Sequence, residues 1–501
     1  MTELISVFAI NKQINRILKD KEWILMNKKC QVFTPSNTVI EMLDRVGYLS
    51  NLHGKKVIEN ACGDGNILKE IVRRYIEVSL LESISLEEIK HGLEADIYGA
   101  EIDEAHFLNC LENLNMLAAN YDIYNVSWNI LNVDILRTKL DMKFDFIIGN
   151  PPYITYRDLD EETRIFVKEN YRSCINGKFD YCYAFIEASL NSLNDTGKLA
   201  YLVPSSIFKN VFAQNLRNIM LPYLTKIYDY TTLKIFNNAL TSSAILIFDK
   251  GNIKDEIKYF DIQNNKSNII IKKNLNNKWI FSQQVECSSH KMSKFSDFFT
   301  ASISIATLLN EAFVISDFEK DLDYVNVGNL KVEKKLLRET ASPRGLNYNK
   351  KELIVFPYVY KEGMLCRFSL EEFENNFPEA VKYLKTFKHK LKKRQSDKNV
   401  QWYEYGRTQA LAHLNQDKLL TSTIVTKKVK VYELQKECIP YSGIYIVSRG
   451  DLKLDKAKEI LESDSFYQYV RSIGINANGS SLRITPGDIN NFEFLTQEVL
   501  S

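Results

Sequence analysis

Between Lys55 and about residue 250, short apolar runs alternate with amphipathic stretches of helical period. The runs are KKVIEN (55–60), DIYGAEID (96–103), VSWNILNVD (126–134), FDFIIGN (144–150), GKLAYLVPS (197–205) and SSAILIFD (242–249). Helical stretches such as NILKEIVRRYIEVSLL and CYAFIEASLNSL lie between several of them. Parallel strands need long crossover connections, usually helices, so this alternation predicts an α/β fold with a doubly wound, mostly parallel sheet. Residues 251–295 read as a polar connection with short strands. Residues 296–501 mix charged helices, such as LEEFENNFPEAVKYLKTFKHKLKKR, with short strands such as TSTIVT and SGIYIVS. The expected organisation is therefore a first domain over 1–250, opening on a helical segment at 1–30, and a second, α+β domain over 251–501.

Charge narrows the function classes. The 65 Lys plus Arg nearly balance the 63 Asp plus Glu, for a net +2. That excludes a strongly basic coat and leaves room for a local basic face. The eight cysteines include no C-x-x-C pair and the six histidines no H-x-x-x-H pair, so no protein-bound metal is expected. No apolar run reaches the ~18 residues that cross a bilayer. The start, MTELISVFAINKQ, lacks the basic and apolar order of a signal peptide. A cytoplasmic protein with no membrane partner is expected.

In KKVIENACGDGNIL (55–68), an apolar strand ends at Glu59, and a turn of small residues, Ala61, Cys62, Gly63, Asp64 and Gly65, opens a helix. Glycines at such a turn let the backbone approach a ligand closely. One strand–helix unit later, Glu101 stands just past a second strand, where a carboxylate can accept hydrogen bonds from both hydroxyls of a ribose. Asp134 ends a third strand. Each feature alone also suits a plain strand–helix connector; their succession points to a nucleotide-type ligand.

In FDFIIGNPPYITY (144–156), an apolar strand ends at Gly149 and runs into Asn150, Pro151, Pro152 and Tyr153. An amine conjugated to a ring is a poor nucleophile because its lone pair is delocalised. The Asn150 side-chain oxygen and the Pro151 carbonyl can both accept from such an amine and favour its pyramidal form. The prolines stiffen these acceptors, and Tyr153 offers a flat face for a base. A proline-containing turn at a strand end is the plainer reading of the same residues.

These two segments resemble motifs of S-adenosylmethionine-dependent methyltransferases, and within them the gamma-class N6-adenine DNA methyltransferases. The first departs from the common D-P-A-C-G-x-G form, with Glu59 for Asp and Asn60 for Pro. QVFTPSNTVIEMLD (31–44), KFDYCYAFIEASL (178–190), GKLAYLVPSSIF (197–208) and LKIFNNALTSSAILIF (233–248) resemble further motifs of that class. The resemblance implies that S-adenosyl-L-methionine is held by Thr34, Glu59, Ala61, Gly63, Gly65, Glu101, Ile102, Asp134, Ile135 and Phe185. It implies catalysis at Asn150, Pro151, Pro152 and Tyr153, with a flipped adenine packed between Tyr153 and Phe236. Phe185 and Phe236 also read as core aromatics.

Residues 301–501 carry 30 Lys plus Arg against 26 Asp plus Glu, the sign expected of a DNA-facing domain. The densest basic cluster includes Lys392, Lys393 and Arg394. QWYEYGRTQAL (401–411) groups aromatics with Arg407 and Gln409, residue types that read guanine and adenine edges. The basic cluster equally suits a solvated face. Overall length and layout resemble the PstI/BsuBI type of modification methylase, which implies CTGCAG as target and a cognate restriction endonuclease as a system partner without a stable complex. A monomer acting on double-stranded DNA, without cleavage activity of its own, is expected. The same NPPY chemistry suits a protein-glutamine or rRNA base methyltransferase, and a non-catalytic DNA specificity subunit is the alternative outside enzymes.

Overall fold

The computed structural model describes residues 34–230, 242–275, 277–281, 292–450, 452–476 and 481–495. The helical segment expected at 1–30, and Phe236, lie outside the described residues. The chain divides into two compact units, 1–283 and 284–501.

The first unit is built on nine strands. In chain order they are β1 (Val57–Glu59), β2 (Ile97–Glu101), β3 (Asn129–Asn132), β4 (Phe144–Gly149), β5 (Leu193–Pro204), β6 (Leu224–Asp229), β7 (Ser243–Asp249), β8 (Glu256–Asp261) and β9 (Lys266–Ile271). Their order across the sheet is β3-β2-β1-β4-β5-β7-β6-β8-β9. The pairs among β1 to β5 are parallel, and β7 runs antiparallel between β5 and β6. The six strands anticipated from the apolar runs all form. Helices α1 (Ser36–Val46), α2 (Asn66–Leu81), α3 (Leu86–Asp96) and α4 (Glu104–Ala119) belong to the first half of the unit. Helices α5 (Glu161–Asn170), α6 (Cys182–Ser192) and α7 (Gln214–Met220) belong to the second.

Strand periodicity explains the layers. Val57, Ile148, Ala200, Leu202, Ile245 and Ile247 join one apolar cluster, with Met42 of α1 and Leu68 of α2. Their neighbours Ile58, Ile147, Leu199, Tyr201, Leu246 and Phe248 join the other, with Phe185 of α6. Successive side chains of one strand thus enter opposite cores, as a sheet covered on both faces requires.

The boundary expected at residue 250 is displaced to 283/284. Residues 256–271 are a hairpin of the main sheet rather than a connection, because β8 pairs with β6 and β9 with β8. Beyond the hairpin Trp279 is 1% exposed, and its backbone N–H donates to the Phe208 carbonyl at 2.8 Å. Phe281 stands edge-on to Phe208 and stacks on Tyr259. These aromatics seal one core of the unit, so the segment cannot be a linker.

The second unit is α+β, as its mixed rhythm predicts. Four-stranded sheets form from 299–303, 444–448, 418–421 and 431–434, and from 314–315, 352–355, 337–341 and 439–440. The charged stretch after residue 369 is three short helices, Leu370–Asn376, Pro378–Lys385 and Lys388–Lys392. Pro378 opens the second, where its missing N–H costs nothing, and ends the first.

Among the described residues no helix is long and apolar enough to cross a membrane, and no group of three or more His, Cys, Asp or Glu is placed to hold a metal.

Replacing Trp279 by Ala should cost about 3–5 kcal/mol, the usual range for emptying a buried aromatic site. Denaturant unfolding measures this; a change near zero would mean that 277–281 is not part of the first unit's core.

Candidate active-site cleft

The site begins where β1 ends. Gly63 (φ +51°) and Gly65 (φ +81°) adopt left-handed backbone, which turns the chain from β1 into α2. At Gly65 a Cβ would lie 2.7 Å from the Cys110 sulfur of α4, so the turn closes on that helix only with glycine. Glu59 is buried, and its Oε2 accepts from the Leu68 N–H at 3.0 Å. Burial, with Cys110 and Glu101 nearby, holds its carboxyl well above the usual range.

Glu101 ends β2 and grips the same turn. One carboxylate oxygen accepts from the Gly63 N–H at 2.8 Å and the other from the Asp103 N–H at 2.9 Å. Asp134 follows β3; its Oδ1 accepts from the Leu136 N–H at 3.0 Å and its Oδ2 lies 3.2 Å from Arg137. Burial raises its pKa against these partners. Asn150 follows β4. Its Nδ2 donates to Thr34 Oγ1 at 3.1 Å, and its Oδ1 accepts from the Tyr153 hydroxyl at 2.6 Å. That hydroxyl also lies 2.8 Å from the Leu202 carbonyl, so one proton has two acceptors. Ile154 and Tyr156 pair with Tyr181 and Phe179 through backbone bonds, which ties the loop after Asn150 to the start of α6.

One cleft gathers these residues. Thr34, Glu59, Ala61, Gly63, Glu101, Ile102, Asp134, Ile135, Asn150, Pro151, Pro152, Tyr153 and Phe185 all line it. Gly65, also anticipated, stands in the same turn packed against Cys110.

Further residues line the cleft beyond the anticipated set. Asn60 lines the cleft and is 6% exposed. Its Nδ2 donates to Ser189 Oγ at 2.8 Å, and its Oδ1 accepts from the Tyr201 hydroxyl. A residue in place of the usual proline thus gains partners from α6 and β5, more than a hundred positions away. His106 also lines the cleft, with Nδ1 2.6 Å from Asp64 Oδ1. Tyr181 lines it and stands edge-on to Phe185. Only their position one helical turn inside α4, or at the start of α6, would have suggested the last two.

In the second unit the anticipated DNA-contacting residues divide. Arg394 is corrected to a structural role. Its guanidinium donates to the carbonyls of Leu391, Thr307, Trp402 and Glu404 and lies over the Phe313 ring. Tyr403 and Tyr405 are fully buried, their hydroxyls bonded to the Phe368 and Val355 carbonyls, so neither can stack on a base. Gln409 is exposed and donates to Asp397. Lys392, Lys393 and Arg407 are exposed.

A parallel sheet whose strand ends carry a glycine turn, two acids and an asparagine loop defines the S-adenosylmethionine-dependent methyltransferase fold. Residues 8–236 match the Eco57I restriction-modification methylase family. The Type II methyltransferase M.AccI of Acinetobacter calcoaceticus is 26% identical over 260 residues, 51% of this chain and 43% of that protein. The Type II restriction enzyme and methyltransferase RM.Eco57I of Escherichia coli is 25% identical over 338 residues, 58% of this chain and 33% of that protein. The chain thus spans less than half the length of these curated relatives. Among solved structures, the Type IIL restriction-modification enzyme MmeI in complex with DNA aligns with a TM-score of 0.57 at 16% identity, covering 96% of this chain and 66% of that one. A nuclease-deletion mutant of the Type ISP enzyme LlaGI aligns with a TM-score of 0.52 at 16% identity, covering 88% and 50%. At these identities the structural likeness speaks to fold alone.

Asp180, bridged to Thr155 beside the Asn150 loop, yields a pH test. Burial pushes its carboxyl up to about 6, against the Cys182 N–H that favours the ionised form. A carboxyl raised in the folded state destabilises it increasingly as pH rises from the unfolded value through the folded one. Asp180→Asn should therefore add roughly 1–3 kcal/mol at pH 7 and nothing near pH 3. Unfolding curves across that range check it; a gain independent of pH would contradict the buried-charge account.

Proposed function

We propose that the chain transfers a methyl group from S-adenosyl-L-methionine to the N6 amine of adenine in double-stranded DNA, with the target base flipped out of the helix. The observation that carries this reading is the meeting of Asn150 and Tyr153 with Gly63, Glu101, Asp134 and Phe185 in one cleft. Those residue types fit the cofactor. Glu101 faces the cleft with its carboxylate already oriented by two backbone N–H groups, and the second lone pair of each oxygen suits a ribose hydroxyl. Asp134 offers an acceptor and Phe185 an apolar face for an adenine ring. When bound, the cofactor supplies an electrophilic methyl on a sulfonium.

The chain's own part is positioning. Thr34 takes the Asn150 amide N–H, which leaves the amide oxygen for acceptor duty. That oxygen accepts from the Tyr153 hydroxyl and is the proposed acceptor for the adenine amine. The same hydroxyl lies within reach of the Leu202 carbonyl, an alternative acceptor when the amine arrives. With the Pro151 carbonyl as second acceptor, the amine nitrogen becomes pyramidal and its lone pair is aimed. The proton leaves after the nitrogen becomes cationic, so no strong base is needed. The Tyr153 ring, half-buried in the cleft wall, provides the stacking face. Phe236 is proposed as the opposite face of that base. Lys392, Lys393, Arg407 and Gln409 are proposed as DNA contacts. The PstI/BsuBI resemblance makes CTGCAG the first sequence to test.

Incubation with labelled S-adenosyl-L-methionine and DNA, RNA or a protein extract tests substrate class; label entering protein alone would overturn the reading. Sequencing of methylated DNA then gives the target. Asn150→Ala should lower transfer at least about 100-fold, as loss of an oriented polar group in a transition state does. Cofactor affinity, measured by calorimetry, should change little. Tyr153→Ala should cost ~1–3 kcal/mol in transfer, the worth of base–aromatic stacking. Tyr153→Phe keeps the ring and should retain most activity. Near-normal transfer by Asn150→Ala refutes its assignment as the amine acceptor.

A further inference from the structure

A second concave site lies on the first unit, lined by Arg45, Lys198, Thr225, Lys226, Ile247, Asp249, Asn252, Lys254, Glu256 and Lys258 among others. It stands toward the N-terminal ends of the parallel strands, whereas Gly63, Glu101 and Asn150 stand at their C-terminal ends. Five cations and two carboxylates share it.

Sheet register explains how the cations converge. Lys198 pairs with Asp249 across β5 and β7, Ile247 with Lys226 across β7 and β6, and Lys226 with Lys258 across β6 and β8. Alternation then puts Lys198, Asp249, Lys226 and Lys258 on one face, the face whose apolar rows include Leu202, Ile245 and Ile247. The C-terminal turn of α1 brings Arg45 to the same hollow.

Local pairing does not neutralise the row. Arg45 is held by Glu41 at 3.4 Å and lies over the Tyr228 ring. Lys198 reaches Asp249 only at 3.9 Å. Among the described residues, no carboxylate lies within ion-pair distance of Lys226 or Lys258. Like charges directly opposite on neighbouring strands are destabilising. Lys226 is half-buried, and burial, then Lys258, Lys198 and Arg45, lower its pKa. A fold that keeps such a row gains nothing from it unless an anion completes the site.

We infer that this hollow binds a phosphate-bearing ligand, with Lys198, Lys226 and Lys258 as its main donors. The shared chemistry is a multiply charged phosphate, which a nucleic-acid backbone and a small phosphorylated metabolite both present. Its distance along the strands from the catalytic cleft makes it separate from the methyl-transfer site.

The test uses the full chain and inorganic pyrophosphate, with chloride balanced to constant ionic strength. Pyrophosphate should raise the Tm of the native protein and bind with a measurable heat. The double variant Lys226→Gln, Lys258→Gln should bind pyrophosphate at least about tenfold more weakly, a change well within calorimetric resolution. Its own Tm should equal or exceed that of the native protein, because like-charge repulsion is removed. S-adenosyl-L-methionine affinity serves as a control and should be unchanged. Failure of pyrophosphate to bind the native protein, or equal binding by the variant, overturns the proposal. If binding is seen, displacement of pyrophosphate by a duplex lacking adenine identifies a nucleic-acid backbone as the source, and no displacement identifies a small phosphorylated molecule.

Discussion

The parallel pairing of β1 with β4 is the constraint on which the site depends. Val57 and Ile58 lie beside Phe146 and Ile147, so both strands end at one edge of the sheet. The glycine turn after Glu59 and the asparagine loop after Gly149 therefore emerge side by side, although ninety positions separate them in the chain. Parallel strands are buried on both faces, and the apolar clusters on either side fix the register that this proximity needs.

A buried polar network joins the two loops beneath the cleft. Tyr201 on β5 reaches Asn60 in the first loop, and its hydroxyl also meets Ser189 at 2.7 Å. The Tyr201 ring passes under Gly149, where a Cβ would approach it to 3.0 Å. One tyrosine thus holds the residue after β1 and sets the space available before Asn150. All three polar groups are satisfied by one another, which is what makes a buried network rigidifying rather than costly. The glycine at 149, read in the sequence as a strand end, is there for this close approach.

The apolar runs and the spacing of Glu59, Glu101, Asp134 and Asn150 were legible because strand–helix alternation and acceptor chemistry are local properties. The domain boundary was not. Residues 251–281 look polar and loop-like, yet Trp279 and Phe281 pack against Phe208 and Tyr259 stacks on Phe281, contacts only the folded sheet creates. The basic and aromatic stretches of the second unit misled in the same way. Arg394 and Tyr405 have the composition of a DNA-reading surface, but a guanidinium that satisfies four backbone carbonyls and a fully buried tyrosine are interior devices. Composition does not say which side of a short helix or turn faces inward.

By itself the sequence determined the α/β class, the chain order of the strands that border the cleft and most of the residues that line it. It could do so because most of them follow a strand end, and strand ends are marked by where an apolar run stops. Tertiary structure alone decided what those residues do for one another. It gave Asn60 its partners, packed Gly65 against Cys110, oriented the Asn150 amide through Thr34 and gathered lysines from three strands into one hollow. The physical reason is that hydrogen bonds and charge clusters depend on distances across the sheet, and those distances exist only once the strands have chosen their neighbours.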